Sequence, residues 1–544
     1  MRLVSAVALA VLLPSAASAA DLPMLKSSEP LPPDCVTNWT GFYLGVHSGF
    51  AFGTADWSHI NGQFNEGDGK ASGLHEGLLF GLQGGYNYQI GRFLLGVEGD
   101  ASASLFDSKA NIGGRNATAR STDYGRTRTD ALASLSARFG YTFGPALLYT
   151  KLGAAYAHDR YSTGPLNIYY DQTINTASEN RFGWVGGLGV EYALGQNWSA
   201  KLEYDYYFLG DRNIRLSGSP GTPGSEATAK LRRDDQMVKF GLNYNFGGRL
   251  EPCCSIAPDF SGEFGVRAGL ATNTFQKNLY YPGSPHLLTS RIKYSNTLGA
   301  FSEVFGNINF KNGVFARAYF NGIDIFSGQR RNEDFIDTPF SFSSGFYSNT
   351  DADVRSSRGV QGAVDVGYVA FKGDNWDLGG YLGYELYQRR LNGMGCTQIG
   401  NGRSCLEPWP SDKLVHTQSE VWHGARVGIK GDYQISDAIG LSASASYLPY
   451  VMFEGRDNHW SRSDINSMRE HADPGQGLEL EGVVSYAITT HVSVGVGGRY
   501  TWLKSGDGYT KFPGADARSA EKFRSQQLGG FLQLSYRFGD LARK

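Results

Sequence analysis

The chain has 544 residues, too many for one small domain and ample for two, and its net charge of −2 provides no basic surplus of the kind a nucleic-acid partner requires. With 72 Gly, 31 Tyr and 32 Phe but only 41% hydrophobic residues, the composition does not suit a large helical enzyme. It suits strands that alternate lipid-facing and lumen-facing residues between aromatic girdles. After the N-terminus no run of about 18 apolar residues occurs, which excludes a helical membrane protein.

Met1–Ala20 has the form of a secretory signal: Arg2, an apolar run from Leu3 to Leu13, and Ala17-Ser18-Ala19 as the cleavage site. Residues 21–38 are polar and proline-rich and read as a periplasmic lead-in. From Trp39 period-two alternation begins, and eight strands are expected at 39–53, 76–91, 92–106, 131–144, 146–161, 181–195, 198–210 and 235–247. Short turns fall at Gly91-Arg92, Gly144-Pro145 and Gly195-Gln196-Asn197, whereas 54–75, 107–130, 162–180 and 211–234 are long and polar. Short periplasmic turns and long outer loops are the signature of an outer-membrane barrel. The set ends on Val238–Phe246, followed by Gly247-Gly248.

Residues 249–261 form a linker with Pro252, Pro258 and the adjacent Cys253 and Cys254. Cys35 can pair with Cys253 or Cys254 if the strand ends meet on the periplasmic side; otherwise these thiols stay free or join other chains. Ten further strands are expected at 262–272, 289–310, 313–324, 357–372, 376–389, 418–434, 437–451, 475–489, 491–504 and 524–538, with residues 539–544 as a tail. Cys396 and Cys405, nine positions apart in the third outer loop, are expected to form a local disulfide rather than a metal site. The last strand, like Val238–Phe246, ends on Phe. The expected fold is therefore all-β: two tandem transmembrane antiparallel up-and-down β-barrels, of eight strands over 39–248 and ten over 262–538. One continuous eighteen-stranded porin is the alternative, with the linker as a long periplasmic turn.

Two resemblances follow from these segments. Trp39-Thr40-Gly41-Phe42-Tyr43-Leu44-Gly45 with the closing Val238–Phe246 resembles the outer-membrane immunogenic and opacity-type eight-stranded barrels of alphaproteobacteria. The terminal Phe, with glycine upstream, is similar to the signal that the barrel-insertion machinery reads. The ten-stranded half resembles the omptins, surface proteases of Gram-negative outer membranes. In that family the second outer loop carries Asp-x-Asp-Trp-x-Asp and the fourth Asp-x-His before an aromatic residue. Here the second loop has Asn332-Glu333-Asp334-Phe335-Ile336-Asp337 and the fourth Asp457-Asn458-His459-Trp460.

The resemblance implies His459 as general base, Asp457 as its orienting partner and Asp334 as one member of an acidic pair that holds the attacking water. Asn332 stands where the family has its first Asp, so one carboxylate of the pair is missing; an amide positions a water but cannot share its proton. Gln276 and Lys277 occupy the first-loop position, and Gly455, beside Glu454, the fourth-loop position, at which omptins carry acids for basic substrates. Each residue taken singly reads as ordinary solvated loop. No Walker loop, CxxC pair or HExxH motif occurs, and no cofactor is expected. Three functions follow in order: a structural or surface-interaction protein of the outer membrane, an omptin-like endopeptidase acting on peptides or proteins, and a porin. The expected partners are outer-membrane lipid, lipopolysaccharide and the insertion machinery.

Overall fold

Strands with one apolar and one polar face can cross a bilayer only when every backbone N–H and C=O is paired, which requires a sheet closed on itself. The computed structural model describes residues 37–61, 71–113, 122–166, 175–195, 197–218, 227–247, 260–281, 284–335, 348–400, 405, 409–460, 467–512 and 518–539. The expected signal segment, the lead-in up to residue 36 with Cys35, and the linker with Cys253 and Cys254 lie outside the described residues, as do Asp337 and the tail from 540.

The first eight strands are β1 (Gly41–Asn61), β2 (Ala71–Ile90), β3 (Phe93–Gly113), β4 (Thr122–Phe143), β5 (Ala146–Leu166), β6 (Asn175–Gly195), β7 (Trp198–Gly218) and β8 (Ala227–Asn245). Each pairs antiparallel with the next, and β8 returns to β1, from Tyr43 opposite Asn245 to Asn61 opposite Thr228. The barrel closes at eight strands. That closure overturns the single eighteen-stranded porin, because the edge that would have continued into the second half is already paired. The periplasmic turns fall where expected, with left-handed backbone at Gly91 (φ 62°), Gly144 (φ 56°) and Asn197 (φ 71°).

The second half runs β9 (Phe260–Tyr281), β10 (Ser284–Phe310), β11 (Val314–Asp334), β12 (Ser348–Val354), β13 (Ser357–Lys372), β14 (Trp376–Gln398), β15 (Trp409–Gln434), β16 (Ile439–His459), β17 (Ser467–Ala487), β18 (Val492–Lys504), β19 (Gly508–Lys511) and β20 (Arg518–Phe538). Two of its staves are interrupted. β12 and β13 both pair with β11 and β14, and the break at Ser356 has φ 50°. β18 and β19 likewise both pair with β17 and β20. Because β20 pairs with β9, and β9 with β10, the pairing returns to its start around ten staves.

The strands outrun the sequence expectation at their outer ends. A strand of 21 residues, rising about 3.3 Å per residue and tilted by about 40–45°, climbs about 50 Å, roughly twice the apolar band of a barrel. Most of each segment read as outer loop is therefore ladder standing above the bilayer. Polar alternating sequence pairs as well in water as in lipid, so polarity marked the end of the membrane rather than the end of the strand. The band itself is legible on β1, where Phe42, Leu44 and Val46 face outward and Tyr43 and His47 are buried inside.

Both lumens are filled. In the first barrel Trp39 packs on Leu94, Leu147 and Tyr149. Beyond them Lys201 bridges Glu98 and Glu203, Lys151 reaches Glu203 and Asp205, and Arg138 pairs with Glu191 at 2.8 Å. In the second, Arg267 and Arg499 grip Glu303, and Arg426 joins Glu385 to Glu479 at 3.2 and 2.9 Å. Above that layer Phe275, Trp422, Phe453 and Phe523 form an aromatic floor.

The two barrels pack side by side. Phe50 and Phe52, on the outward face of β1, are buried against Phe320 of β11, whose ring stacks on Phe52 with centroids 5.5 Å apart. Gly322 makes room: a Cβ there would stand 2.7 Å from the Phe50 ring. Tyr192 meets Phe538 toward the periplasmic ends, and Tyr124 meets Trp460 toward the outer ends.

Candidate functional site

The aromatic floor carries a polar cluster built from the outer ends of six staves. On β16 the last exposed outward hydrophobic residue is Tyr450, and Asp457 and His459 follow on the inward face, so the cluster lies beyond the apolar band. The β15–β16 register sets His416 opposite His459 and Gln418 opposite Asp457. β11 contributes Arg330, Asn332 and Asp334, β9 contributes Lys277, β17 contributes Glu470 and β20 contributes Glu521. The residues expected on outer loops thus stand on strand ends, where the ladder fixes their backbone.

His459 Nε2 lies 3.0 Å from Asp457 Oδ2, joining the two members of the expected dyad. The same oxygen accepts from Lys277 Nζ at 2.7 Å, and Lys277 also donates to Glu470 Oε1 at 2.5 Å. Gln418 Nε2 completes the chain to Glu470 Oε2 at 2.6 Å. Burial opposes the charge on Asp457, but His459 and Lys277 outweigh it and hold this carboxyl well below its usual range. Burial pushes Glu470 up to about 8 and Glu521 upward, only partly offset by Lys277. One lysine faces three carboxyls; the surroundings favour the charged form of Asp457 and disfavour that of Glu470 and Glu521. His416 is held well below the imidazole range by burial and by the nearby Arg330.

Asp334 accepts from Asn332 Nδ2 at 3.0 Å, and Asn332 Oδ1 accepts from Ser290 Oγ at 3.3 Å. Burial raises the Asp334 carboxyl, against the fields of Arg330 and His459. Asp334 therefore lies within the electrostatic reach of His459. Asn332 serves as a hydrogen-bond donor to Asp334, so no second carboxylate shares a proton there. Glu454 points outward, and Gly455 leaves space for Glu470, whose Oε2 would stand 2.3 Å from a Cβ at 455. Sequence spacing located Lys277 but not its ion pairs, and it missed Arg330, His416, Gln418, Glu470 and Glu521. Arg330, His416, Glu470 and Glu521 lay in segments read as outer loop and Gln418 at the first residue of an expected strand; their convergence needed the longer strands and the ring to close.

Outside the cluster, a disulfide joins Cys396 and Cys405, as expected. Among the described residues no group of three or more His, Cys, Asp or Glu has the arrangement of a metal site.

Residues 5–246 match the family profile of the outer membrane protein beta-barrel domain, and residues 265–527 match that of the Protochlamydia outer membrane protein. The 31 kDa outer-membrane immunogenic protein of Brucella melitensis is 29% identical over 256 residues, covering 45% of this chain and 100% of its own length. This is an outer-membrane β-barrel protein. The 25 kDa outer-membrane immunogenic protein of Brucella abortus is 27% identical over 241 residues, 44% of this outer-membrane protein and 95% of the relative. The outer membrane protease OmpT of Escherichia coli is a structural neighbour with TM-score 0.43 and 14% identity, covering 53% of this chain and 99% of OmpT.

Proposed function

We propose that this outer-membrane protein is a non-conducting surface scaffold, whose two barrels raise rigid strand ends and their connecting segments above the bilayer. One observation carries the reading: charged side chains cross each lumen in paired layers, from Lys151, Lys201 and Glu203 in the first barrel to Arg267, Arg499 and Glu303 in the second. Paired groups at hydrogen-bonding distance leave no continuous water path, and an eight-stranded ring is just wide enough for its own side chains to fill. Purified protein inserted in planar bilayers is expected to give a flat current trace. Reproducible stepwise conductance would overturn the reading.

The partners follow from position. The exposed apolar band meets bilayer lipid. Above it on the first barrel, Arg128 and Arg160 both face outward beside Asp130, at a height suited to lipopolysaccharide headgroups. The closing strands, ending at Phe246 and Phe538, suit recognition by the insertion machinery.

A second reading, an aspartate–histidine endopeptidase, is favoured by the 3.0 Å contact of Asp457 with His459, with Asp334 within the electrostatic reach of His459. In such chemistry His459 takes the proton of a water aimed at a peptide carbonyl while Asp457 orients the ring. Lys277 opposes it by drawing the Asp457 charge into a second ion pair. Intact cells presented with a generic peptide library decide the matter: cleavage lost in His459→Ala establishes the peptidase, and identical background in wild type and variant removes it.

A further inference from the structure

We propose that the outer end of the second barrel holds a carboxylate-binding site, in which the buried Arg330 guanidinium grips an acidic group through its Nε and Nη2 edge. Arg330 is 1% exposed, on the inward face of β11, with the Tyr294 ring 5.9 Å away. Its Nε and Nη2 have no hydrogen-bond partner among the described residues. A buried cation in that state is costly unless an anion completes it.

The same edge shows its preference elsewhere in the chain. Arg331 closes Nε and Nη2 on the two oxygens of Asp351 at 2.9 and 2.9 Å. Arg126 does so on Asp107 at 2.7 and 3.0 Å. A planar fork of two N–H groups matches a planar carboxylate, which is why this pairing recurs. Arg330 presents that fork beside His416, whose Nδ1 is also unpartnered among the described residues. Both side chains pack directly on Gly393; a Cβ there would stand 3.2 Å from Arg330 Cδ and 3.5 Å from His416 Cβ. The neighbouring carboxyls are committed: Asp457 to Lys277 and His459, Asp334 to Asn332. Lys277 in turn is held by Asp457 and Glu470, and Arg330, whose field reaches Asp334, has no carboxylate hydrogen-bonded to its Nε and Nη2 among the described residues.

The ligand is either a small free carboxylate or the acidic group of a peptide; both offer the same two oxygens. Full-length protein refolded in detergent micelles is titrated calorimetrically with acetate, with a peptide ending in a free carboxylate, and with its C-terminally amidated form. Saturable binding of acetate or of the free-acid peptide at one site per chain is expected, with the amidated peptide inert. Acetate binding identifies a small-molecule site, and binding of the free-acid peptide alone identifies a peptide site. Arg330→Gln is expected to weaken binding about 10- to 100-fold, the loss of a charge-assisted bidentate pair. Arg330→Lys, which keeps the charge but loses the fork, is expected to fall between, and its heat-modifiable migration on gels reports a folded barrel. No saturable binding to the wild type, equal binding of the amidated peptide, or wild-type affinity in a folded Arg330 variant overturns the proposal. Conductance and peptide cleavage test the scaffold reading, and this titration is independent of both.

Discussion

Lys277 illustrates how one buried cation sets the chemistry around it. It accepts the field of Asp457, Glu470 and Glu521 together, and removing it leaves the buried Asp457 charge to His459. Lys277→Met is therefore expected to cost about 3–5 kcal/mol in denaturant unfolding, the usual penalty for breaking a buried pair from one side. Glu470 gives a pH signature. Its pKa is raised from 4.5 to about 8 in the folded barrel, so between those values the native state holds a proton that the unfolded chain has lost. Stability from this group is then fully present below pH 4.5 and declines as pH rises toward about 8, by at most about 1.4 kcal/mol per pH unit. Glu470→Gln is expected to flatten this stretch of the stability profile, measured by urea unfolding at a series of pH values; an unchanged slope would assign the decline to other groups.

At the scale of elements, the strands hold the cluster because they continue beyond the lipid. Asp334 closes β11 and His459 closes β16, and both are paired to neighbouring staves, by β10 and β12 in one case and β15 in the other. The contact between barrels depends on a similar local fit, the Phe50 ring lying against the bare backbone of Gly322. Gly322→Leu drives a side chain into that ring and is expected to destabilise the protein by about 1–3 kcal/mol, as overpacking does. Phe50→Ala in the same background is expected to recover part of the loss, and purely additive penalties in the double-mutant cycle would show that the two residues do not touch.

At the scale of the molecule, eight staves and ten staves close separately, and each ring is small enough for charged and aromatic side chains to span it. The flat bilayer trace expected of the intact protein follows from those filled lumens. Cutting across one ion-pair layer offers a sharper check: Arg267→Ala with Arg499→Ala is expected to open measurable conductance in the second barrel, because both guanidinium groups that bridge Glu303 are then gone. A silent double variant that still migrates as a folded barrel would place the seal in the aromatic floor formed by Phe275, Trp422, Phe453 and Phe523.

Alternation by itself determined the staves, their count in each half, the short turns at Gly91, Gly144 and Asn197, and the outward band of Phe42, Leu44 and Val46, because side-chain parity is local to each segment. The pairing of Asp457 with His459 was implied by the omptin resemblance, in a segment read as outer loop; the strand that carries both sets their contact. Strand length was not readable, since polar alternating sequence pairs equally well above the bilayer. Ring closure alone decided the rest. The pairing of β20 with β9 brings Lys277 across to Asp457, 180 positions along the chain, and sets it beside Glu470 and Glu521. Such partners are fixed by the curvature and register of a closed sheet, a property of all its strands together that no single segment encodes.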